Sequence, residues 1–274
     1  MSSEAKNTTN QFLVLQADYA ANGAAYYGIQ RLDSGFRNGT ESLSVGETDV
    51  TLNAVGDTSL TVLTVTAQAG NVEREIEITF RSRGIEELAI LTEGNVYSRL
   101  GVLNEAGRDS ADLMVSNADT IPSMNTDSLF DIATDQGHVY GGNVSISGGT
   151  VIPAGQSSFY LDGDPANGPN VTWITGNLLS TGQGTLYGII VVLGDVELRG
   201  NAHIEGVLLC PNPTTTVFKG TASDDKIDGG IVTRGDIDGT GWPTVQHNPE
   251  YMSTFADYET GDYRINQVVS WEFQ

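Results

Sequence analysis

Residue combinations that could perform catalysis are scarce in this sequence. It has three histidines, His138, His203 and His247, and only His203 has a carboxylate, Glu205, on the same side of a predicted strand. Such a pair can act as acid and base, although on a strand surface it is usually a pair without a role. G-x-S-x-G, H-E-x-x-H, Walker and dinucleotide-binding motifs do not occur. Cys210, the single cysteine, follows an aliphatic run and is expected to be buried. We therefore expect no enzymatic activity.

An acidic loop at residues 162–168 is the candidate metal site. Asp162, Asp164 and Asn167 offer the oxygen ligands that calcium prefers. The spacing departs from an EF-hand, because Asn167 and Gly168 come one residue late and Trp173 stands where the glutamate ligand belongs. Two interpretations stay open, a calcium site and an ordinary solvated acidic loop. We expect no other cofactor.

Composition narrows the classes of partner. The chain has 274 residues, with 13 Lys and Arg against 35 Asp and Glu, which gives a net charge of −22. A chain this acidic repels phosphate backbones, so we expect no nucleic-acid partner. No window reaches the ~18 apolar residues of a membrane span. The 33 glycines, with many Thr, Val and Ile, indicate β-structure with tight turns.

A helix is predicted over residues 11–37, where proline is absent and two stripes run side by side. The larger apolar side chains recur at helical steps: Leu15, Tyr19, Tyr26, Ile29, Leu32 and Phe36. The second stripe consists of small residues that let another backbone approach closely: Ala17, Ala21, Ala24 and Gly28. One interpretation is an amphipathic helix that covers a sheet. The other is a helix that also packs against helices of other subunits, through Leu15, Tyr19, Tyr26, Ile29 and the small stripe.

Residues 43–83 alternate apolar and polar side chains with period two, and Gly46, Gly56 and Gly70 interrupt them. This pattern predicts antiparallel strands joined by hairpins. The sheet would have one wet face and one dry face, and the helix is the obvious cover for the dry face. We therefore expect residues 1–84 to form a helix packed on a small antiparallel sheet, preceded by a tail of about ten residues.

Glycine followed by Asn or Asp recurs in the second half of the chain, at 142–143, 176–177, 194–195, 200–201 and 235–236. Gly188, Gly194, Gly200 and Gly206 are spaced by six. Short strands separated by corners that need positive φ are typical of a β-solenoid, in which Val, Ile and Leu stack on neighbouring coils. The alternative is a β-sandwich with glycine-rich hairpins. We favour a β-solenoid domain over residues 85–241.

The C-terminal segment, residues 242–274, is rich in aromatic residues. It contains a predicted helical turn at Pro249–Phe255 and a final strand near residues 263–272. Solenoids need caps that prevent end-to-end pairing of their strands. We therefore expect this segment to cap the solenoid or to seal the N-terminal sheet. The fold class as a whole is mainly β.

Three segments carry a resemblance to a known group. The alanine-rich stretch at 16–32, QADYAANGAAYYGIQRL, resembles the membrane-distal half of the N-terminal helix of PilX-type pilin-like proteins of type IV pilus and secretion systems. Residues 188–209 are similar to the solenoid segment of that group and to bactofilin-like repeats. The ending VVSWE at 268–272 looks like the C-terminal strand of these proteins. The resemblance implies a soluble ectodomain whose membrane contact runs through a missing N-terminal segment.

Together these features predict an exported structural or adhesion subunit at a bacterial surface or in the periplasm. The expected partners are proteins, either copies of itself or other pilus and secretion-system subunits, and a surface or polysaccharide ligand is a further expectation. The alternatives are a carbohydrate-active solenoid of the lyase or glycosidase kind, and a ligand-binding solenoid. An enzyme of that kind requires clustered carboxylates beside a basic residue.

Overall fold

The structure, a computed structural model, describes residues 3–57, 59–98, 100–219, 225–261 and 263–274. Strands make up 46% of the chain and helices 21%, which confirms a mainly β protein. The chain divides into two compact units. Unit 1 comprises Met1–Arg83 and Arg264–Gln274, and unit 2 comprises Gly84–Tyr263. Residues 242–274, expected to form one C-terminal cap, are therefore distributed between the two units.

Unit 1 consists of helix α1 and one antiparallel sheet. The elements are α1 (Ser3–Asp33), β1 (Gly39–Val45), β2 (Thr48–Gly56), β3 (Leu60–Ala69), β4 (Val72–Arg83) and the last strand, β21 (Ile265–Phe273). The strand order is β1-β2-β3-β4-β21. The predicted helix and sheet are confirmed, but the helix begins eight residues earlier than expected, because Ser3–Asn10 are helical and not a tail.

The end of α1 also differs from the expected position at residue 37. Gly35 adopts a φ of +95°. The Phe36 amide then donates to the Arg31 carbonyl at 2.9 Å. A glycine in the left-handed region followed by such a bond is a common way to end a helix, so α1 ends at Asp33, before Ser34-Gly35 and four residues earlier than expected.

The core of unit 1 lies between α1 and one face of the sheet. On that face the strands alternate with period two, as antiparallel strands with one wet face do. The buried residues are Val50, Leu52 and Ala54 on β2, Leu63, Val65 and Ala67 on β3, and Ile76, Ile78 and Phe80 on β4. Arg83 of β4 and Ile265 of β21 are register partners. Unit 2 is therefore inserted between two strands that a short hairpin turn could join.

Unit 2 contains the remaining strands and two short helices, α2 (Thr126–Asp135) and α3 (Pro249–Ala256). The strands are β5 (Ile90–Thr92), β6 (Val96–Ser98), β7 (Gly101–Leu103), β8 (Met114–Val115), β9 (Val139–Tyr140), β10 (Val144–Ser147), β11 (Val151–Ile152), β12 (Val171–Ile174), β13 (Leu178–Thr181), β14 (Thr185–Val192), β15 (Val196–Arg199), β16 (His203–Cys210), β17 (Thr216–Lys219), β18 (Asp225–Thr233), β19 (Ile237–Thr240) and β20 (Thr244–His247). Single 3₁₀ turns lie at 85–87, 111–113, 161–163 and 165–167.

These strands form two parallel sheets. One has the order β10-β13-β15-β17-β19-β6, and the other has the order β7-β20-β18-β16-β14-β12-β9, with β5, β8 and β11 at its side. From β12 to β20 the chain alternates between the sheets. The register partners Leu178 and Val196, and likewise Leu186 and Ile204, are 18 residues apart. Their aliphatic side chains belong to one buried cluster between the sheets.

Glycines occupy the bends of this arrangement. Gly188, Gly206 and Gly229 are register neighbours on β14, β16 and β18, with φ between +99° and +149°. A Cβ on Gly206 would collide with the Gly188 carbonyl oxygen, and one on Gly229 with that of Gly206. Gly194 and Gly200 lie at two other bends. The six-residue spacing in the sequence thus marks three bends in each 18-residue repeat.

The Asn and Asp residues after the glycines form a ladder. The amide of Asn177 donates to Asn143 Oδ1, that of Asp195 to Asn177 Oδ1, and that of Thr215 to Asp195 Oδ1, each at 2.9 Å. The amide of Asn95 donates to Asp236 Oδ1 at 2.8 Å. The side chains of Asn143, Asn177, Asp195 and Asp236 therefore each satisfy a backbone donor in an adjacent strand connection, which explains the Gly-Asx pairs at these four positions.

The first strands of unit 2 pair with its last ones. β5, β6 and β7 run parallel to β18, β19 and β20. Residues near 90–103 thus extend the parallel sheets beyond residues 225–247, which the sequence pattern did not indicate. The Asn95 amide joins the Asx ladder as part of this pairing.

Candidate functional site

Helix α1 carries the features that could form an interface, and its small residues face the sheet. Ala17, Ala21 and Ala24 are buried. Gly28 is buried as well, and a Cβ there would lie 2.5 Å from Leu63 Cδ2. The small stripe therefore allows close approach to the helix's own sheet. It is not available to a neighbouring molecule, which corrects the expectation that Ala17, Ala21, Ala24 and Gly28 contact other subunits.

The large apolar side chains on the other side of α1 are open to solvent. Their exposed fractions are 65% for Phe12, 68% for Leu15, 78% for Tyr19 and 66% for Tyr26. Ile29, the remaining predicted interface residue, is half-buried and packs against the core of unit 1. Two predicted members, Leu32 and Phe36, are buried or half-buried. We call Phe12, Leu15, Tyr19 and Tyr26 the exposed seam.

The seam has the spacing of a helix–helix contact. Phe12, Tyr19 and Tyr26 are seven residues apart, and Leu15 stands three residues after Phe12. In heptad terms these are a and d positions, and the next two d positions are Asn22 and Ile29. Apolar side chains every 3.5 residues form a continuous line on a helix, and this line fits another helix.

Charge is nearly absent along this part of the chain. Between residues 8 and 32 the only ionisable acid or base side chains besides tyrosines are Asp18 and Arg31. Asp18 pairs with Arg74 at 2.8 Å, and Arg31 pairs with Glu41 at 3.1 Å. The helix surface is therefore neutral in a molecule of net charge −22, so a similar surface could approach it without repulsion.

Side-chain contacts hold the helix at a fixed rotation on the sheet. Tyr27 donates its hydroxyl to Glu41 Oε1 at 2.9 Å. That bond, with the Arg31 guanidinium, lowers the pKa of Glu41, and the same bond raises the pKa of Tyr27. Near β21, the Tyr26 ring lies 5.4 Å from the Trp271 ring between centroids. These contacts on either side of α1 keep the exposed seam pointing outward.

The first turns of α1 extend past the sheet. The described side chains from Thr8 to Phe12 are exposed, and Leu13 is the first that is half-buried, close to Gly70 in the turn after β3. A helix of 31 residues is about 46 Å long. Its early part thus offers a surface on all sides. No described helix is long and apolar enough to cross a membrane.

The predicted calcium ligands lie in an exposed loop of unit 2 and have other hydrogen-bonding roles. Asp164 accepts the Ala166 amide at 3.0 Å and begins the 3₁₀ turn at 165–167. Asp162 Oδ1 accepts from Gln156, and Asn167 donates to the Leu161 carbonyl, each at 3.4 Å. Across the described ranges, no group of three or more His, Cys, Asp and Glu could hold a metal ion. Both interpretations of this loop, a calcium site and an ordinary solvated acidic loop, therefore stay open.

Helix α3 covers β16 and β18 beside the glycine bend, the name we give to the register neighbours Gly188, Gly206 and Gly229. Gly230 faces away from the core between the sheets, and a Cβ there would meet Met252 of α3. Tyr251 of α3 stacks on Phe159, with centroids 4.2 Å apart and planes 10° from parallel. Its hydroxyl donates to Glu205 at 3.2 Å. Burial and nearby carboxylates, Glu205 first, raise the pKa of Tyr251. The carboxylate of the His203–Glu205 pair is thus already bonded.

The stacked pair of Phe159 and Tyr251 escaped sequence analysis, because its members are 92 residues apart and belong to no repeat. Cys210 is buried, as expected, and desolvation raises the pKa of its thiol to about 12.

Comparisons with known proteins identify no family for this chain. No family model matches the chain, and no curated protein matches it in sequence. Among solved structures, the crystal structure of the competence-associated pilin ComZ from Thermus thermophilus aligns over 95% of this chain and 97% of that one. The identity is 8% and the TM-score is 0.27. At that TM-score the likeness carries no argument about function.

Proposed function

We propose that this protein is a non-enzymatic, pilin-like assembly subunit of an exported bacterial system. Unit 1 joins it to other subunits through the exposed seam of α1, and unit 2 presents an acidic β-solenoid to the medium or to a surface. Copies of this chain and other pilus or secretion-system subunits are the partners. The location is the cell surface or the periplasm.

The observation that carries the proposal is the exposed seam. A helix that only covers its own sheet has no use for Phe12, Leu15, Tyr19 and Tyr26 on its solvent side. Full burial of such side chains contributes about 1.5–3 kcal/mol each. Their heptad spacing and the neutral surroundings suit a second helix. The small residues beneath them hold the helix against unit 1 while the seam stays free.

The strand order supports a β-solenoid in unit 2. In both parallel sheets, a strand pairs with the strand that lies 18 residues earlier in the chain. Glycine bends connect the two sheets, so each 18-residue repeat corresponds to one coil of a stack. The Asx ladder fits the same arrangement, since each rung bonds to the next. A β-sandwich of antiparallel hairpins would not produce parallel neighbours at this interval.

The covered glycine bend supports a structural role over catalysis. Glycosidases and lyases need carboxylates that reach substrate in an open groove. Glu205 and Asp228 are register neighbours, but α3 lies over their strands, and the Tyr251 hydroxyl donates a hydrogen bond to the Glu205 carboxylate. The net charge of −22 argues against a nucleic-acid partner. A polysaccharide or other surface ligand for unit 2 stays a prediction.

Site-specific photocrosslinking in the producing cell tests the seam. A photoreactive side chain at Tyr19 should crosslink to a helix of a second copy or of a pilus subunit, identified by peptide mass spectrometry. The same group at Asn10, also exposed on α1 but on the opposite side of the heptad, is the matched control. The Leu15→Glu exchange should abolish the Tyr19 crosslink, because a charge there would have to be buried. Crosslinking at Asn10 but not at Tyr19 would refute the proposal.

A further inference from the structure

Strand β21 forms an edge of the unit 1 sheet. Within the part of the chain that the structure describes, it pairs with β4 alone. Val269 and Phe273 on this strand are 57% and 67% exposed. Soluble proteins usually protect such edges with lysine or proline, yet residues 265–273 contain neither, and Glu272 is their single charged side chain. Val269 lies inside an irregularity between Val268 and Ser270 and has no register partner on β4, whereas the residues from Ser270 onward are in regular register with β4.

The hydrogen bonds to β4 define which backbone groups point to the open edge. The Gln274 amide donates to the Glu75 carbonyl at 3.0 Å. Bonded positions alternate along an antiparallel strand, so Glu272 and Ser270 also direct their backbone groups to β4. Trp271 and Phe273 direct theirs to the open edge.

We propose that two copies of this chain pair through β21, antiparallel, about a twofold axis at Trp271. The two Trp271 residues would exchange their backbone hydrogen bonds. Phe273 of one copy would lie opposite Val269 of the other, and Glu272 opposite Ser270. An axis at Ser270 or Glu272 would instead bring together backbone groups that already bond to β4.

A second copy is the occupant that the charges of this strand favour. Pairing about Trp271 brings no two charged side chains opposite each other, since Glu272 faces a hydroxyl. It joins the two most exposed apolar side chains of the strand and covers them together. A self-complementary patch of this kind gives a closed dimer. The Tyr26 ring beside Trp271 adds apolar surface next to the axis. The pairing is formed by β21, shares Tyr26 alone with the exposed seam, and does not depend on the proposed function.

Cysteine crosslinking of the full chain tests the register. Directly opposite residues in antiparallel strands have Cα atoms about 4.5–5.5 Å apart, within the range of a disulfide. Copies of Val269 would lie about 13 Å from each other, four residues along the strand. Val269→Cys and Phe273→Cys chains should therefore form disulfide-linked dimers when mixed and oxidised, while neither should do so alone. Cys210 is buried and does not compete.

Charge exchange at the same exposed positions provides an independent readout. In sedimentation equilibrium, the double exchange Val269→Lys with Phe273→Lys should weaken dimerisation at least about tenfold, because like charges would face each other. Val269→Glu with Phe273→Lys should retain the native association, because the opposed charges then attract. Self-crosslinking of either single variant, equal association of the two double variants, or a monomeric native chain at about 1 mM would overturn the proposal.

Discussion

Units 1 and 2 bury apolar residues in opposite ways. Unit 1 has antiparallel strands with one dry face, and a single helix covers it through alanine and glycine. Unit 2 has parallel strands that are buried on both sides in their longer members, such as Val207–Cys210 of β16. Unit 1 leaves one face of α1 and the edge strand β21 open, whereas in unit 2 helix α3 covers part of β16 and β18. Both assembly surfaces that we propose therefore lie in unit 1.

The largest effect should come from removing unit 2. Because Arg83 and Ile265 are register partners, a two-residue Asn-Gly turn can replace residues 84–264. We expect the shortened chain to fold, with helical circular dichroism, cooperative unfolding and a near-ultraviolet signal from Trp271 against Tyr26. An Ile78→Asp exchange in the shortened chain should abolish this unfolding transition, because Ile78 is in the core. A shortened chain that lacks cooperative unfolding would show that unit 1 depends on unit 2.

Unit 2 should be most sensitive at its glycine bend. Gly206→Ala adds a Cβ that meets the Gly188 carbonyl at a φ of +149°, and we expect a loss of about 3 kcal/mol or more in the free energy of unfolding. The matched control is Gly137→Ala, at φ +74° with open space around it, which should cost about 1 kcal/mol. Urea unfolding of both variants measures the difference. Equal losses would mean that the close backbone contact between Gly206 and Gly188 does not contribute to the destabilisation.

Unit 1 should be sensitive where its helix meets β3. Gly28→Ala forces Leu63 to move, and we expect a net loss of about 1–2 kcal/mol despite the better helix propensity of alanine. Gly23→Ala, on the exposed side of the same helix with no atom nearby, should stabilise by about 0.5–1 kcal/mol. Thermal unfolding distinguishes the two. If both variants gain stability, the close approach of α1 to the sheet is wrong.

The local features of both units could be predicted from the sequence. Period-two alternation predicted β1 to β4, and Gly-Asx repeats predicted the bends, because both patterns arise from neighbouring residues. The exposed seam could not be assigned to solvent, since large apolar residues normally face a sheet. The small residues did indicate which side of the helix faces the sheet, because only a small residue fits where Gly28 approaches Leu63 so closely.

Long-range pairings were beyond the sequence pattern. β5 to β7 pair with strands about 140 residues later, and Phe159 stacks on Tyr251 across 92 residues. Neither pairing produces a periodic pattern in the sequence. The position of α3 over β16 and β18 therefore became known only from the structure.

Acid should weaken the two units through different carboxylates. In unit 1, the pKa of Asp57 is lowered to about 2 by the amide of Leu60 and by the hydroxyl and amide of Ser59. In unit 2, that of Glu197 is lowered to about 2 by Arg199 and then Lys219. A lowered folded-state pKa stabilises above the unfolded pKa near 4, and this stability is lost as the pH falls towards 2.

Hydrogen exchange resolved by unit, from pH 7 to pH 2, measures these contributions. Below pH 4, the stability of each unit should decline as the pH falls. Asp57→Asn should make this decline less steep in unit 1 alone, and Glu197→Gln should do so in unit 2 alone. Both contributions are small, because the groups are near the surface. A variant that changes the decline in the other unit would contradict the independence of the two units.

Of the changes considered, added calcium should have the smallest effect on Tm, and this effect should be the same for both units. Asp164 already accepts the Ala166 amide, and Asp162 bonds to Gln156. We therefore expect calcium and magnesium to raise Tm slightly and equally, by screening the net charge of −22. Asp164→Asn keeps an oxygen for the Ala166 amide and should leave that rise unchanged. A site with ten times its Kd of free calcium would instead gain about 1.4 kcal/mol. A gain of that size that is specific for calcium and lost in Asp164→Asn would establish the loop as a metal site and give unit 2 a ligand of its own.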